Sequence, residues 1–315
     1  MIDTQIDFLL LRSYGEENAL TRIQSNPLIK GLEECGLSVR EKIYFPGEVI
    51  TVPFPRHVIV SNDDMESILK AQELKTLCGC TVVCLTSDIY NLERSISISE
   101  IADIFVVPTA AHQKILQSAL WKNVIVVPES IDPIAVPNNG IVLPVIKTGK
   151  LCWFGYPESF KKSFKHIFSK ALELSGTEKD RIAFITTPGV ILHDEITHIP
   201  FDANDFYKIS QSYEYSLLSH FSFDHHINTF IKSPNKLVTS LVRGMIPLVS
   251  DTFNYSEIMG YYNLEKFMYK NGRELVRLLG DLKSLSNSIE IQPIAEDLQI
   301  RYSSKSVAKI FLNVI

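Results

Sequence analysis

The stretch 232–236, KSPNK, is the part of the sequence best suited to binding an anion. Ser233 is a good N-cap and Pro234 suits the first helical position, so a helix is expected to begin here. A helix N-terminus offers backbone N–H groups and a partial positive charge, to which the lysines add. A helix that is capped for stability alone and leads into a core strand would have the same residues at its start. The sequence therefore favours neither the anion site nor the purely structural helix. The candidate phosphate-binding residues are Lys232, Ser233, Asn235 and Lys236.

Two acidic residues and a histidine are candidates for contact with a substrate. Asp88 ends the strand-like run TVVCLTSD, and Asp63 follows the strand-like run HVIVSN. His225 belongs to the cluster DHH at 224–226. Asp88 and His225 are the candidate catalytic residues, since a carboxylate or an imidazole can act as a general base, whereas Asp63 is a candidate acceptor contact. Helix capping is the alternative interpretation of Asp88, and the adjacent side chains of the DHH cluster point in different directions, so no metal site is predicted.

Four further residues could face a substrate from the ends of predicted elements. Gly155 and Tyr156 close the strand-like run KLCWFG, and Lys161 lies in the first turns of the helix that follows. Arg22 lies near the start of the helix after the first strand and could meet a phosphate group. A turn glycine, a solvated basic face and a surface arginine are the alternative interpretations. The mixture of Phe and Lys over 160–170 is explained by core packing, and contact with an anionic membrane is its alternative.

Motifs and composition exclude several classes of protein. The sequence contains no GxSxG elbow, no Walker P-loop and no GxGxxG fingerprint, which argues against serine hydrolases, kinases and dinucleotide oxidoreductases. The net charge of −5 argues against a nucleic-acid partner. The five cysteines form no CxxC pair, so we expect free thiols in a reducing cytoplasm and no zinc site. No apolar run is long enough to span a membrane, and the N-terminus lacks the basic region of a signal peptide.

Strand-like and helix-like segments alternate along the chain, which predicts an α/β fold. Runs such as 57–62 and 81–88 are rich in Val and Ile without polar alternation, as in parallel strands that are covered on both faces. Residues 133–149 are rich in Pro, Asn and Gly and are the best linker candidate. We therefore expect two doubly wound, Rossmann-like domains, 1–146 and 147–315, that face a cleft and bind ligands at the carboxyl ends of their strands.

Charge is distributed unevenly between the two predicted domains. Residues 1–146 carry 11 Lys and Arg against 18 Asp and Glu, whereas residues 147–315 carry 20 against 18. The first half therefore has a net charge of −7 and the second a net charge of +2. The second half is the better candidate for holding an anion.

The segment NKLVTSLVRGMIPLVSDT resembles the donor-binding segment of GT-B glycosyltransferases of the group 1-like type. KSPNK stands where a subset of that family has a KSNNR-like sequence at the start of the same helix. The run ISEIADIFVVPTAAHQKIL…NVIVVPESID resembles the family's segment before the interdomain linker, and KLCWFG resembles the first strand and glycine turn of its C-terminal domain. ALTRIQSNPLIKGLEECG and NGRELVRLL resemble two of its helices, so the resemblance covers most of the chain.

The resemblance implies a glycosyltransferase that moves a sugar from a nucleotide-sugar to a glycan or glycolipid acceptor in surface polysaccharide biosynthesis. It implies that the donor binds the C-terminal domain through Gly155, Tyr156, Lys161 and the KSPNK residues. Arg22 and Asp63 would contact the acceptor in the N-terminal domain, on which the last helix is expected to pack. No cofactor is expected. The protein is expected in the cytoplasm, with peripheral association at the inner face of the membrane as a further expectation.

The sequence departs from the family at two positions. Many retaining members carry a Glu-x7-Glu pattern near this helix, whereas Ile231 and Thr239 occupy the two positions here. A carboxylate that would hold the ribose or the sugar of the donor is therefore missing. Two alternatives to a transferase stay open: a GT-B-fold nucleotide-sugar epimerase, and a degenerate GT-B module that binds a glycan or a partner without catalysis.

Overall fold

The structure, a computed structural model, describes residues 6–12, 21–43, 54–61, 64–87, 92–120, 122–136, 147–163, 165–219, 227–286 and 289–315. The chain divides into two compact units. Unit 1 comprises Met1–Ile131, Ile231–Ser233 and Arg301–Ile315, and unit 2 comprises Asp132–Phe230 and Pro234–Ile300. The boundary expected between 146 and 147 borders residues 137–146, which lie outside the described residues, so it stays a prediction.

Unit 1 is built on a six-stranded parallel sheet in the order β2-β1-β3-β4-β5-β6. The strands are β1 (Ile6–Arg12), β2 (Val39–Ile43), β3 (Pro55–Ser61), β4 (Thr81–Leu85), β5 (Ile104–Val107) and β6 (Asn123–Val126). Alternate residues of β1 enter two separate cores, with Leu9 and Leu11 in one and Phe8 and Leu10 in the other. Because successive strand residues point to opposite faces, both faces of the sheet are covered, and the central strands β3, β4 and β5 carry buried apolar residues on both faces.

The helices of unit 1 come from both its N-terminal part and the last residues of the chain. They are α1 (Asn26–Glu34), α2 (Met65–Cys78), α3 (Leu92–Ser99), α4 (Ala110–Leu120) and α13 (Ser304–Leu312). A π-helical turn, Thr21–Ser25, leads into α1, and Gly36 follows α1 with φ of 85°, a left-handed conformation in which glycine commonly ends a helix. The last helix, α13, packs on α1, where Phe311 joins Leu32 in one core.

Unit 2 contains a second six-stranded parallel sheet, in the order β12-β11-β10-β7-β8-β9. Its strands are β7 (Leu151–Phe154), β8 (Ile182–Thr186), β9 (Thr197–Pro200), β10 (Tyr215–Leu218), β11 (Ile246–Ser250) and β12 (Met268–Tyr269). Two parallel sheets with helices make the chain an α/β protein of two Rossmann-like units, which confirms the predicted fold class.

The remaining helices follow the strands of unit 2. They are α5 (Pro157–Ser163), α6 (Lys165–Ser175), α7 (Phe206–Ser210), α8 (Asn228–Ile231), α9 (Asn235–Val242), α10 (Phe253–Tyr261), α11 (Gly272–Ser286) and α12 (Ile291–Arg301). Phe160 and Phe168 on α5 and α6 are buried, so this part of the Phe and Lys pattern is core, as predicted. Within the described ranges, none of the helices has the length and hydrophobicity that a bilayer crossing requires.

The cysteines carry free thiols in two settings. Cys80, Cys84 and Cys152 are buried, whereas Cys35 and Cys78 are half-buried. Burial, together with the neighbouring Cys78 thiol, raises the pKa of Cys80 to about 12, and burial raises the pKa of Cys152. Thiols with raised pKa values carry little thiolate at neutral pH and are poor nucleophiles. The described part of the chain places no three His, Cys, Asp or Glu side chains where they could hold a metal ion.

Candidate functional site

A glycine turn follows β7, the strand at which the chain enters the sheet of unit 2. Gly155 has φ of 150°, a conformation that residues with a side chain rarely adopt. Its N–H donates to the carbonyl of Ile185 at 3.1 Å, and its own carbonyl accepts from Thr186 Oγ1 at 2.8 Å. Both bonds reach β8, so the turn is fixed to the neighbouring strand. The Gly155 N–H is thus engaged with protein, whereas the Tyr156 N–H donates to no described residue.

The ammonium group of Lys236 lies over this glycine turn. A Cβ placed on Gly155 would lie 2.3 Å from Lys236 Nζ and 3.3 Å from Trp153 Cη2, so a side chain at position 155 would force the flexible lysine to move its ammonium away. Nζ also lies 5.3 Å from the centre of the Trp153 ring, within range of a cation–π interaction. The fold therefore brings together the glycine turn and the KSPNK lysine, two motifs that the sequence predicts separately.

An aromatic layer supports the lysine from below. Trp153 is buried and packs edge-on against Phe160 and Phe184, with ring centres 5.2 and 6.0 Å apart. Phe168 closes the layer against both phenylalanines. A charge above such a layer has solvent on fewer sides, which strengthens its attraction for an anion. Trp153 was not among the predicted site residues, although its place in KLCWFG, two residues before the glycine, was a usable signal.

Helix α9 begins within the KSPNK segment, whose Lys236 lies over the glycine turn. The prediction that Ser233 caps this helix and that Pro234 is its first residue is wrong by one position, since Pro234 is the N-cap and α9 begins at Asn235. Asn235 Oδ1 accepts from Thr239 Oγ1 at 3.2 Å, one turn later. The helix ends before Gly244, whose φ of 77° turns the chain into β11. Lys236 is thus in the first turn, where a helix attracts anions.

The other predicted site residues occupy different positions. Tyr156 is 61% exposed, and Lys161 is exposed on α5 without an ion pair to a described residue. Lys232 and Ser233 are half-buried and belong to unit 1, whereas Asn235 and Lys236 belong to unit 2, so the KSPNK stretch is shared between the units. Arg22 is half-buried in the π-helical turn of unit 1. Three predicted residues lie outside the described residues: Asp63, Asp88 and His225.

A buried arginine that was not predicted fixes the far end of α9. Arg243 is fully buried, and its guanidinium stacks 3.8 Å from the centre of the Tyr207 ring. Arg243 Nε donates to Ser210 Oγ at 2.8 Å, and Nη2 donates to the Tyr207 carbonyl at 2.9 Å. Burial lowers the pKa of Arg243, and these contacts with Tyr207 oppose that effect. The arginine clamps α9 to α7 and so holds the helix that carries Lys236.

Among the comparisons with known proteins, the one with solved structures identifies the fold. No protein-family model matches the sequence, and no curated protein matches it either. Among solved structures, Anabaena HepE in complex with UDP and glucose is similar, with a TM-score of 0.66 and 11% identity, over 98% of each chain. The sucrose-phosphate synthase of Thermosynechococcus elongatus is similar with a TM-score of 0.65 and 9% identity, over 98% of each chain. The lipopolysaccharide outer core galactosyltransferase WaaB is similar with a TM-score of 0.65 and 12% identity, over 99% of each chain.

These likenesses extend over nearly the whole chain, and the sheets of both units have the parallel, doubly wound order described above. Identities of 9 to 12% establish the common fold and leave the substrate to be argued from the site. The chain has the GT-B glycosyltransferase fold.

Proposed function

We propose that the protein is a glycosyltransferase that binds the diphosphate of a nucleotide-sugar at the Gly155 turn. The observation that carries the proposal is the Lys236 ammonium directly over a glycine whose missing side chain leaves room for it. A glycine turn beside a lysine and a helix start is an arrangement suited to phosphates. The solved structures with this fold include HepE with UDP-glucose, which supports a nucleotide-sugar as the ligand class.

The same contacts account for catalysis by charge stabilisation. When the sugar leaves a nucleotide-sugar, negative charge develops on the diphosphate. The Lys236 ammonium, the Tyr156 N–H and the positive end of α9 would stabilise that charge more strongly than they stabilise the bound donor. Lys236 is on the helix that Arg243 clamps, and the Tyr156 N–H is on the turn that is hydrogen-bonded to β8. Little reorganisation is therefore needed when the charge appears.

The acceptor side of the proposal rests on unit 1. We place a glycan or glycolipid of a surface polysaccharide there, with Arg22 and Asp63 as contacts and Asp88 and His225 as the candidate catalytic residues. The acidic composition of residues 1–146 supports a neutral or cationic acceptor in preference to a nucleic acid, because like charges repel. Lys161, Lys232 and Ser233 remain candidate donor contacts.

Binding of a nucleotide diphosphate is the direct test. Trp121 and Trp153 are the two tryptophans of the chain, so Trp121→Phe makes Trp153 the sole indole reporter beneath Lys236. We expect the emission of this variant to change saturably on titration with UDP, GDP, CDP or dTDP, and the melting temperature of the native protein to rise with the same nucleotide. A protein that none of the four nucleotides stabilises, and whose Trp153 emission none of them changes, would not be a transferase of this kind.

The sugar is expected to contribute little to donor affinity. Thr239 is buried and its hydroxyl donates to Asn235, and Ile231 is buried in a core of unit 1, so neither replaces the glutamates of the Glu-x7-Glu pattern. Without a charged hydrogen bond to the sugar, we expect the dissociation constants of the nucleoside diphosphate and its sugar ester to agree within about threefold, because such a bond contributes about 1.5–3 kcal/mol. Calorimetric titration with both ligands measures the ratio, and a tenfold preference for the sugar ester would contradict the assignment.

The same two positions favour a second candidate function, a binding module without catalysis. Such a module would bind the nucleotide or a glycan and release no product. Incubation with a nucleotide-sugar and a panel of glycan acceptors distinguishes the two, because a transferase releases the nucleoside diphosphate only when an acceptor is present. Turnover without any acceptor would instead support the epimerase or a hydrolase.

A further inference from the structure

We propose that Trp153 is a positioning residue of the donor site, whose ring fixes the Lys236 ammonium over the Gly155 turn. Trp153 is 2% exposed, so it acts on a ligand through the lysine and not by direct contact. The inference rests on the proposed function and deepens it, because it identifies what sets the place of the cation that meets the diphosphate.

Helix α9 fixes the backbone of Lys236 but leaves its ammonium to be placed. The Lys236 carbonyl accepts from Ser240 Oγ at 2.9 Å, and the next residue, Leu237, is fully buried. The four-carbon stem of a lysine is flexible, and holding it in one conformation costs side-chain entropy. An ammonium that binds a phosphate at one fixed point therefore benefits from a second contact that favours that conformation.

The Trp153 ring provides such a contact. Lys236 Nζ lies 5.3 Å from the ring centre, and tryptophan is the aromatic residue that attracts a cation most strongly. Lys236 is half-buried, so less water competes with the ring for the ammonium. A Cβ on Gly155 would lie close to both Nζ and Trp153 Cη2, so the absent side chain of the glycine leaves the space in which ring and ammonium meet.

The sheet of unit 2 holds the ring in place. Trp153 is paired with Phe184 of β8 in the strand register, and the two rings pack edge to face at an interplanar angle of 87°. Phe160 of α5 packs against the same ring at 76°. Residues two apart along a strand point to the same face, which puts the Trp153 ring on the face to which a side chain at position 155 would point. The ring is thus the fixed partner, and the lysine stem is the one that it orders.

A role in core packing alone does not account for this contact. Phe154, the next residue of β7, packs its ring against Phe206, which is fully buried, as expected of a core aromatic residue. Trp153 instead has a charged group against its ring. Taking an ammonium partly out of water is unfavourable, and the cation–π attraction offsets that cost.

Fluorinated tryptophan tests the proposal with little change to the shape of the core. In the Trp121→Phe background Trp153 is the only tryptophan, so tryptophan with one, two or three ring fluorines enters at this position alone. Each fluorine withdraws electrons from the ring and weakens its attraction for a cation. We expect the dissociation constant of UDP to rise with each fluorine, by about three- to tenfold with three, which is the range that follows from the strength of a partly desolvated cation–π interaction.

The matched control is the same fluorine series in the Trp121→Phe, Lys236→Met background. If Trp153 acts through Lys236, fluorination there leaves the affinity for UDP unchanged, whereas a role in packing alone predicts the same weakening in both backgrounds. Equal effects in the two series, or no effect in the first, would overturn the inference. Tighter binding with added fluorine would also overturn it, because the ring would then compete with the phosphate for the ammonium.

A measurement without ligand separates this inference from the proposed function. Methylation of the lysines with ¹³C keeps their charge, and the Lys236 signal is identified by its absence from Lys236→Met. We expect the ring current of Trp153 to displace this signal upfield from that of the exposed Lys208. A displaced signal without binding of UDP, GDP, CDP or dTDP would contradict the proposed function, and the donor role of Trp153 with it. Binding of UDP with an undisplaced Lys236 signal would overturn the positioning role alone.

Discussion

Replacing Gly31 by alanine is expected to lower the free energy of unfolding of unit 1 by about 3 kcal/mol, the upper end of the usual cost of overpacking. Gly31 lies in the middle of α1, where alanine would ordinarily stabilise the helix. A Cβ on Gly31, however, would lie 2.1 Å from the Ser304 carbonyl oxygen and 2.7 Å from Ala308 Cβ on α13. The first of these obstacles is backbone, so the collision cannot be relieved by a change of rotamer.

The expected response is a displacement of α13 from α1. Val307, Ala308 and Phe311 are buried in the same core as α1, so moving the helix opens space around several apolar side chains at once. Urea unfolding measured by circular dichroism gives the change in stability. Adding Ala308→Gly to Gly31→Ala should restore only a small part of it, because the Ser304 carbonyl stays in place.

Gly280→Ala is the matched control for this prediction. Gly280 is also a helical glycine, on α11, but it is exposed and a Cβ there would meet no atom within 4 Å. Alanine at this position should raise stability by about 0.5–1 kcal/mol. Glycine-to-alanine substitution is therefore expected to lower the free energy of unfolding at Gly31 and to raise it at Gly280. Stability unchanged or increased by Gly31→Ala would show that α13 does not pack on α1 in this way.

The parts of the fold that the sequence predicts are the central strands. Strands β3, β4 and β5 are apolar on both faces, and that pattern is visible without a structure. Strands β2, β9 and β12 were not predicted, and each of them lies at an edge of its sheet. An edge strand needs one bonded neighbour and little burial, and accordingly every residue of VREKI in β2 and of THIP in β9 is exposed or half-buried. The two residues of β12 are too few to show a pattern.

The candidate site was predictable as separate motifs and not as an arrangement. Local chemistry identifies a turn glycine at 155 and a lysine in a helix start at 236, because both depend on neighbouring residues in the chain. Their meeting depends on β7 and the start of α9 reaching the same end of one sheet, which local sequence does not encode. Arg243 was missed for a related reason, since a buried arginine is rare and its partners Tyr207 and Ser210 lie on another helix.

Replacing Lys236 by methionine is expected to weaken the binding of UDP by about 10- to 100-fold. A hydrogen bond to a charged group contributes about 1.5–3 kcal/mol, and each 1.4 kcal/mol corresponds to a factor of ten. Methionine keeps an unbranched apolar stem over Trp153 and removes only the charge, so the aromatic layer beneath stays covered. Calorimetric titration gives the dissociation constant. If GDP, CDP or dTDP binds the native protein more tightly than UDP, that nucleotide is used in its place.

Lys208→Met is the matched control, because Lys208 is an exposed lysine of the same unit that pairs with Asp205 at 2.9 Å. Its loss should leave the affinity for UDP at the native value. The salt dependence supplies a second readout, since removing a cation that contacts phosphate should make the affinity less sensitive to added salt. If Lys236→Met binds UDP as tightly as Lys208→Met does, the ammonium over Gly155 is not a phosphate contact. The anion-binding role would then have to pass to other cations of the chain, and the proposal that the Gly155 turn binds the donor would fail with it.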